Sequence, residues 1–227
     1  MKAIKVIFAL TLITLLTLGL SGCESITAKR CLKHLSEKYN GQEFIVKYTK
    51  NGGLFGGGTD YLFCYPKGGD PDTDEVTVET WKPKGEERIF TDTYFELLIR
   101  EDVEAEMLAI LSDINLPMKV YNTEVSGVED HRFDSTKTYA DVKKAISSDE
   151  INCLFDFSIF LLCEDIENRE QYANKIFDML EKNNYRGLMA ICVISDTDLF
   201  ERVTRKNRNQ LFEPNEKTMF LFSECIL

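Results

Sequence analysis

The chain has 227 residues, with 27 Lys and Arg against 38 Asp and Glu for a formal charge of −11, and 44% hydrophobic residues. Five Pro and 13 Gly exclude a collagen-like or low-complexity chain, and the length suffices to bury a core in one domain of about 200 residues or two of about 100. The acidic balance excludes a nucleic-acid binder, which needs a basic footprint to displace counterions from phosphates.

The first 22 residues differ from all that follow. Lys2 and Lys5 are their only charges, and Val6 to Leu20 is a run of uncharged, mostly apolar residues. As a helix this run would rise about 22 Å, short of the ~30 Å hydrocarbon layer. A basic start and a short apolar stretch read as a secretory signal. Its end, Leu20-Ser21-Gly22-Cys23, resembles the lipobox of bacterial lipoprotein signal peptides: Leu, small, small, Cys. The resemblance implies cleavage after Gly22 and a diacylglycerol joined to the Cys23 sulfur by a thioether. Two acyl chains give stable anchoring where one gives marginal binding. The chain from Cys23 onward keeps 25 cations against 38 acids, a charge of −13, which anionic headgroups repel. The lipid is therefore expected to do the holding, on the extracytoplasmic side of the cell membrane.

In chain order, residues 27–39 predict a helix, with Cys31, Leu35 and Tyr39 four apart and Asn40-Gly41 as the stop. Alternation over 43–50, 61–65 and 76–81 predicts strands, and 88–99 reads as a longer one ending in Tyr94, Phe95, Leu97 and Leu98. Short turns between them imply an antiparallel meander. Val103, Met107, Ile110, Leu111 and Ile114 share a helical stripe over 101–114, ended by Pro117. The first half, 23–115, is thus expected to be an antiparallel sheet flanked by two helices. The second half, 116–227, alternates: strand 118–125, a helix opened by the capping box Thr138-x-x-Asp141, strand 154–163, helix 168–184, strand 187–195, helix 196–205 and strand 218–227. Its spacing permits parallel crossovers or a ferredoxin-like split, and Leu188 to Ile194 is apolar enough to be covered on both faces. The fold class expected is α+β.

Several clusters offer chemistry. The glycine-rich run Gly52 to Gly58 lacks the Lys-Ser/Thr of a P-loop and precedes a strand, so it reads as a hairpin tip presenting Leu54 and Phe55. Asp70, Asp72 and Asp74 alternate like calcium ligands, but Glu75 and Trp81 stand where an EF-hand needs Gly and Glu, so a solvated acidic turn is expected. His34 reads as a solvent-facing helix residue and His131 as a loop residue; no esterase elbow or zinc-protease motif frames either. Arg202, Arg205, Lys206 and Arg208 follow a helix, where cations suit the C-terminal end; the alternative reading is that they receive an anionic envelope polymer or an acidic protein face.

Beyond Cys23, six cysteines remain (Cys31, Cys64, Cys153, Cys163, Cys192 and Cys225), as disulfides or as thiols acting as small hydrophobes in apolar runs. No CxxC marks a metal or redox pair, and no catalytic, cofactor or metal residue is assigned. The expected function is a lipid-anchored envelope module that binds an envelope protein or polymer, with a carboxylate-dependent hydrolase as the alternative. A cleft with two carboxylates of raised pKa favours the hydrolase, and a shallow surface with exposed aromatics favours the binding module.

Overall fold

A computed structural model describes residues 25–52, 58–129, 131–165, 168–208 and 218–225, the last stretch and Arg169 as backbone alone. Cys23 and the hairpin-tip pair Leu54 and Phe55 lie outside the described residues. Helix α1 (Ile26–Lys38) opens on Ser25, whose side chain accepts from Ala28 N at 3.0 Å, and ends where Asn40 and Gly41 take positive φ. Its stripe of Ala28, Cys31 and Leu35, continued by Tyr39, is buried on one face of an antiparallel sheet of order β1-β2-β3-β4. These strands are β1 (Phe44–Lys50), β2 (Asp60–Pro66), β3 (Val76–Trp81) and β4 (Ile89–Asp92). Leu62, Cys64, Val76 and Val78 form the sheet's half of this core.

Strand period two sends the alternate residues to the opposite face. Pairing of Ile45 with Tyr65, Tyr48 with Phe63, Thr77 with Phe63 and Glu79 with Tyr61 places them together there. Tyr48 stacks on Phe63 at 4.4 Å between ring centroids and remains 51% exposed as a residue.

The run 88–99 is not one strand. β4 stops at Asp92, and α2 (Tyr94–Ile110) begins two residues later, continued by a 3-10 turn over Leu111–Ile114. Phe95, Ile99, Val103 and Met107 lie four apart, a helical stripe that starts six residues before the expected helix. α2 also packs differently from expectation: this stripe enters the core of the second sheet, while Tyr94 and Leu97 reach the first. Asn115, at φ 53, ends the turn ahead of Pro117.

The second sheet has order β5-β6-β7-β8: β5 (Met118–Ser126), β6 (Leu154–Leu162), β7 (Gly187–Ile194) and β8 (Thr218–Cys225). β6 and β7 run parallel, joined through α4 (Arg169–Lys182); the outer pairs are antiparallel. The crossover is therefore the arrangement found, not the strand order of a ferredoxin-like split. One face carries Phe155, Phe157, Ile159 and Leu161 against α2, α3 (Tyr139–Ser147) and α4. The other carries Phe160 and Cys192 against Phe200 of α5 (Thr197–Arg202) and Val203. The Thr138–Asp141 capping box starts α3 as expected. The fold is α+β, an antiparallel sheet beside a mixed sheet with flanking helices. No helix among the described residues is long and apolar enough to cross a membrane.

Gly187 opens β7 at φ +147, and a Cβ built there would stand 1.9 Å from the Phe155 carbonyl oxygen. Both backbone conformation and space demand Gly at this point of the β6–β7 contact. Gly187→Ala is expected to lower stability by at least ~2 kcal/mol, read as a drop in the denaturant midpoint with an unchanged slope.

Candidate functional site

The two sheets meet at a seam, and its polar side chains are built around Asp92 at the end of β4. The carboxylate is fully buried. Oδ2 accepts from His34 Nε2 at 3.0 Å and Lys38 Nζ at 2.9 Å; Oδ1 accepts from Tyr39 OH at 2.7 Å and Tyr94 N at 3.2 Å. An ionised carboxylate only accepts, so His34 Nε2 carries the hydrogen. Burial opposes ionisation of Asp92, but the bonds from His34, Lys38 and Tyr39 and the Lys38 charge outweigh it and hold the carboxyl below its usual range. Helical spacing aligns His34 and Lys38 on one face of α1. His34 is consequently not solvent-facing: its side chain is 18% exposed and its ring stacks on Phe90 at 4.8 Å. Lys38 Nζ also donates to Glu129 O at 3.4 Å, and Asp92 N to the same carbonyl at 3.2 Å. The cluster thereby ties α1 and β4 to the loop that follows β5.

In front of this cluster lies a cleft of about 580 Å³ at the edge of the open face of the first sheet. Its lining includes Glu79, Trp81, Glu96, Thr123, Glu124 and Glu129. Thr123 is the extra residue of a bulge in β5, where register with β6 shifts between Asn122 and Glu124; such a bulge re-aims side chains. Burial is the main reason the Glu96 carboxyl is pushed up to about 8; the Val125 N bond at 3.2 Å opposes this, while Glu129, Glu124 and Asp92 add to it. Burial likewise raises Glu124, with Asp156 and Glu129 adding. Glu129 is held through both oxygens by Gly127 N, each at 3.0 Å.

Beside the cleft, sharing Glu75, Thr93, Glu96 and Thr123 with it, is a pocket of about 210 Å³ whose walls carry Arg100, Arg205 and Arg208. Arg205 spans both Glu104 oxygens at 2.5 and 2.6 Å, donates to Asn122 O at 3.1 Å and lies over the Tyr121 ring. Lys206 pairs with Asp72. The basic cluster after α5 therefore reaches across to Glu104 and Asp72 beyond capping its own helix, as spacing alone did not reveal. The three alternating aspartates form a turn, with Asp72 N on Asp70 Oδ1 at 2.8 Å and Asp70 N on Asp74 Oδ2 at 2.9 Å; Asp74 receives Arg100 at 2.9 Å.

His131 is an exposed loop residue. Cys31, Cys64, Cys153, Cys163 and Cys192 are free and buried, and burial pushes Cys31 up to about 11 and Cys64, Cys153 and Cys192 to about 12. Thiols so protonated are poor nucleophiles. Among the described residues, no group of three His, Cys, Asp or Glu side chains is placed to hold a metal ion. Sequence reasoning missed Asp92 and Glu96. The available signal was the four-residue stripe from Phe95 onward, which turns Glu96 from a strand position into the first turn of a helix.

Removing Asp92 takes the carboxylate counter-charge from buried Lys38. Asp92→Ala is expected to cost about 3–5 kcal/mol in denaturant unfolding. Glu96, raised in the fold, stabilises fully below its unfolded value near 4.5 and loses that contribution as pH rises through about 8. Wild-type stability should therefore fall between pH 5 and 8, and Glu96→Gln, which retains an acceptor for Val125 N, should flatten that decline.

No family model matches the chain, and no curated protein matches it significantly. Among solved structures, a DUF5037 family protein from Ruminococcus gnavus ATCC 29149 is similar over 77% of each chain, at 14% identity and a TM-score of 0.42. A protein from Lactobacillus casei ATCC 334, provisionally described as a redox protein, is similar over 71% of this chain and 97% of its own, at 15% identity and a TM-score of 0.21. Likenesses this loose carry no argument about function.

Proposed function

We propose that the chain is a cell-envelope lipoprotein, held at the extracytoplasmic face of the membrane through diacylglycerol on Cys23. Its folded part is a non-catalytic module that binds an envelope protein or polymer. The order of basic start, apolar run and Leu20-Ser21-Gly22-Cys23 supports the anchor. The observation that carries the binding reading is the open face of the first sheet. Ile45, Tyr48, Tyr61, Phe63 and Tyr65 share that face, bordered by the cleft that Trp81 lines. Contiguous exposed apolar surface rimmed by polar groups marks interaction sites.

The hydrolase reading is favoured by one observation: Glu96 and Glu124 line a single cleft and are both raised. Glycoside hydrolysis needs an ionised carboxylate, free toward substrate, opposite the protonated one. Of the three carboxylates whose charge acts on Glu96, Asp92 and Glu129 are taken up by the chain's own donors. The third, Glu124, is itself pushed toward its neutral form. None of the three carboxylates that act on Glu96 is thus a free ionised partner for it, which favours binding over turnover.

Cys23→Ala is expected to move the protein from the membrane to the soluble fraction on cell fractionation; equal retention of the variant contradicts the anchor. Sedimentation with isolated envelope polymer should show the full-length chain binding, with affinity lowered about tenfold by Tyr48→Ser combined with Trp81→Ser. Release of soluble sugar from that polymer, abolished by Glu96→Gln, would establish the hydrolase instead.

A further inference from the structure

We propose that the arginine pocket of the seam is a binding site for a tetrahedral oxyanion, phosphate or sulfate either free or as an ester, held between Arg100 and Arg208. The Nε atoms of both residues are buried and make no hydrogen bond. Both residues line the same pocket of about 210 Å³, space for about seven waters at ~30 Å³ each and thus for an anion of five heavy atoms. A buried donor without a partner is uncommon in a folded protein and calls for an acceptor. The remaining guanidinium bonds are accounted for: Arg100 donates to Thr73 O and Asp74, Arg205 to Asn122 O and Glu104, and Arg208 Nη1 to Arg205 O at 2.6 Å.

The local charges lead to the same conclusion. Asp74 is paired with Arg100, Glu104 with Arg205, Asp72 with Lys206 and Glu75 with Lys47. Among the described residues Arg208 makes no ion pair, so one positive charge remains beside the pocket. Burial and the nearby charges of Arg205 and Arg100 disfavour protonated Arg208, a strain that a bound anion relieves. Glu96, also in the lining, is largely neutral at pH 7, with its carboxyl pushed up to about 8, and so does not repel an anion strongly. Thr93 Oγ1 accepts from Thr77 N at 3.0 Å, leaving its hydroxyl hydrogen to give. Donors on separate elements, α2 and the segment after α5, suit an anion with acceptors in several directions better than a planar carboxylate, which a single guanidinium fork satisfies.

The inference rests on the binding-module reading for its meaning in the cell, but its test does not pass through Cys23, so the two can fail separately. Thermal unfolding of the full-length chain is followed at matched ionic strength in chloride, acetate, inorganic phosphate, sulfate and glycerol phosphate. A ligand that binds only the folded state raises the midpoint. Phosphate or sulfate should raise it while acetate matches chloride; a larger shift with glycerol phosphate identifies the ester as the better ligand, and a larger shift with inorganic phosphate the free anion. Arg208→Gln should lower the affinity at least about tenfold. Arg208→Lys, which keeps the charge without Nε, should not restore it, and neither should Arg100→Lys, which serves if Arg208→Gln fails to fold. Equal shifts in acetate, no shift in any oxyanion, or full affinity in the folded variants would overturn the assignment.

Discussion

One buried negative charge organises the seam. Asp92 sits where β4 ends and α2 begins, and leaving it there unbonded would be prohibitive in a low-dielectric interior. Two donors on α1, the Tyr39 hydroxyl just past its end and the first amide of α2 satisfy it, so the helix covering the first sheet and the helix entering the second core are fixed by the same carboxylate. Lys38 and the Asp92 amide then reach Glu129 O, drawing in the loop after β5. The relative placement of cleft and pocket follows from this arrangement, because their shared walls, Thr93 and Glu96, lie one and four residues beyond Asp92.

The seam separates charge. On one side carboxylates gather at the edge of an aromatic sheet face; on the other, three arginines converge around a small pocket. Glu96 stands between them, and burial keeps its carboxyl largely protonated at neutral pH. An acidic protein thus carries, side by side, an exposed aromatic sheet face and a small pocket walled by arginines. On the proposed reading, the two sides would serve recognition of an anionic envelope constituent rather than chemistry upon it.

Most elements were legible because they follow strong local rules. The four-residue spacing of Cys31, Leu35 and Tyr39, the Thr138–Asp141 capping box and the doubly apolar run of β7 each dictate their structure. The boundary at 92–94 was harder to read: Phe90, Tyr94 and Phe95 fit a strand as well, the stripe from Phe95 onward competed with that reading, and the pairing of Asp92 with α1 fixes where the strand stops. His34 was misjudged for the same reason: flanked by Lys33 and Leu35, it reveals its buried partner only in three dimensions, 58 residues away. The arginine pocket draws on residues about 100 apart, so the basic run 202–208, read chiefly as the end of a helix, did not show Arg100 as its companion. Cys23 is the reverse case: its proposed lipid attachment is read wholly from Leu20-Ser21-Gly22-Cys23 and the apolar run before it.

Native-state hydrogen exchange of the Asp92→Asn variant tests the organising role of this carboxylate most directly. If it joins the two halves, amides of α1 around Leu35 and Tyr39 should lose protection together with the amide at position 92 that bonds Glu129 O and the amides at the start of α2. Loss confined to α1, with the β4–α2 junction as protected as in the parent, would contradict the account.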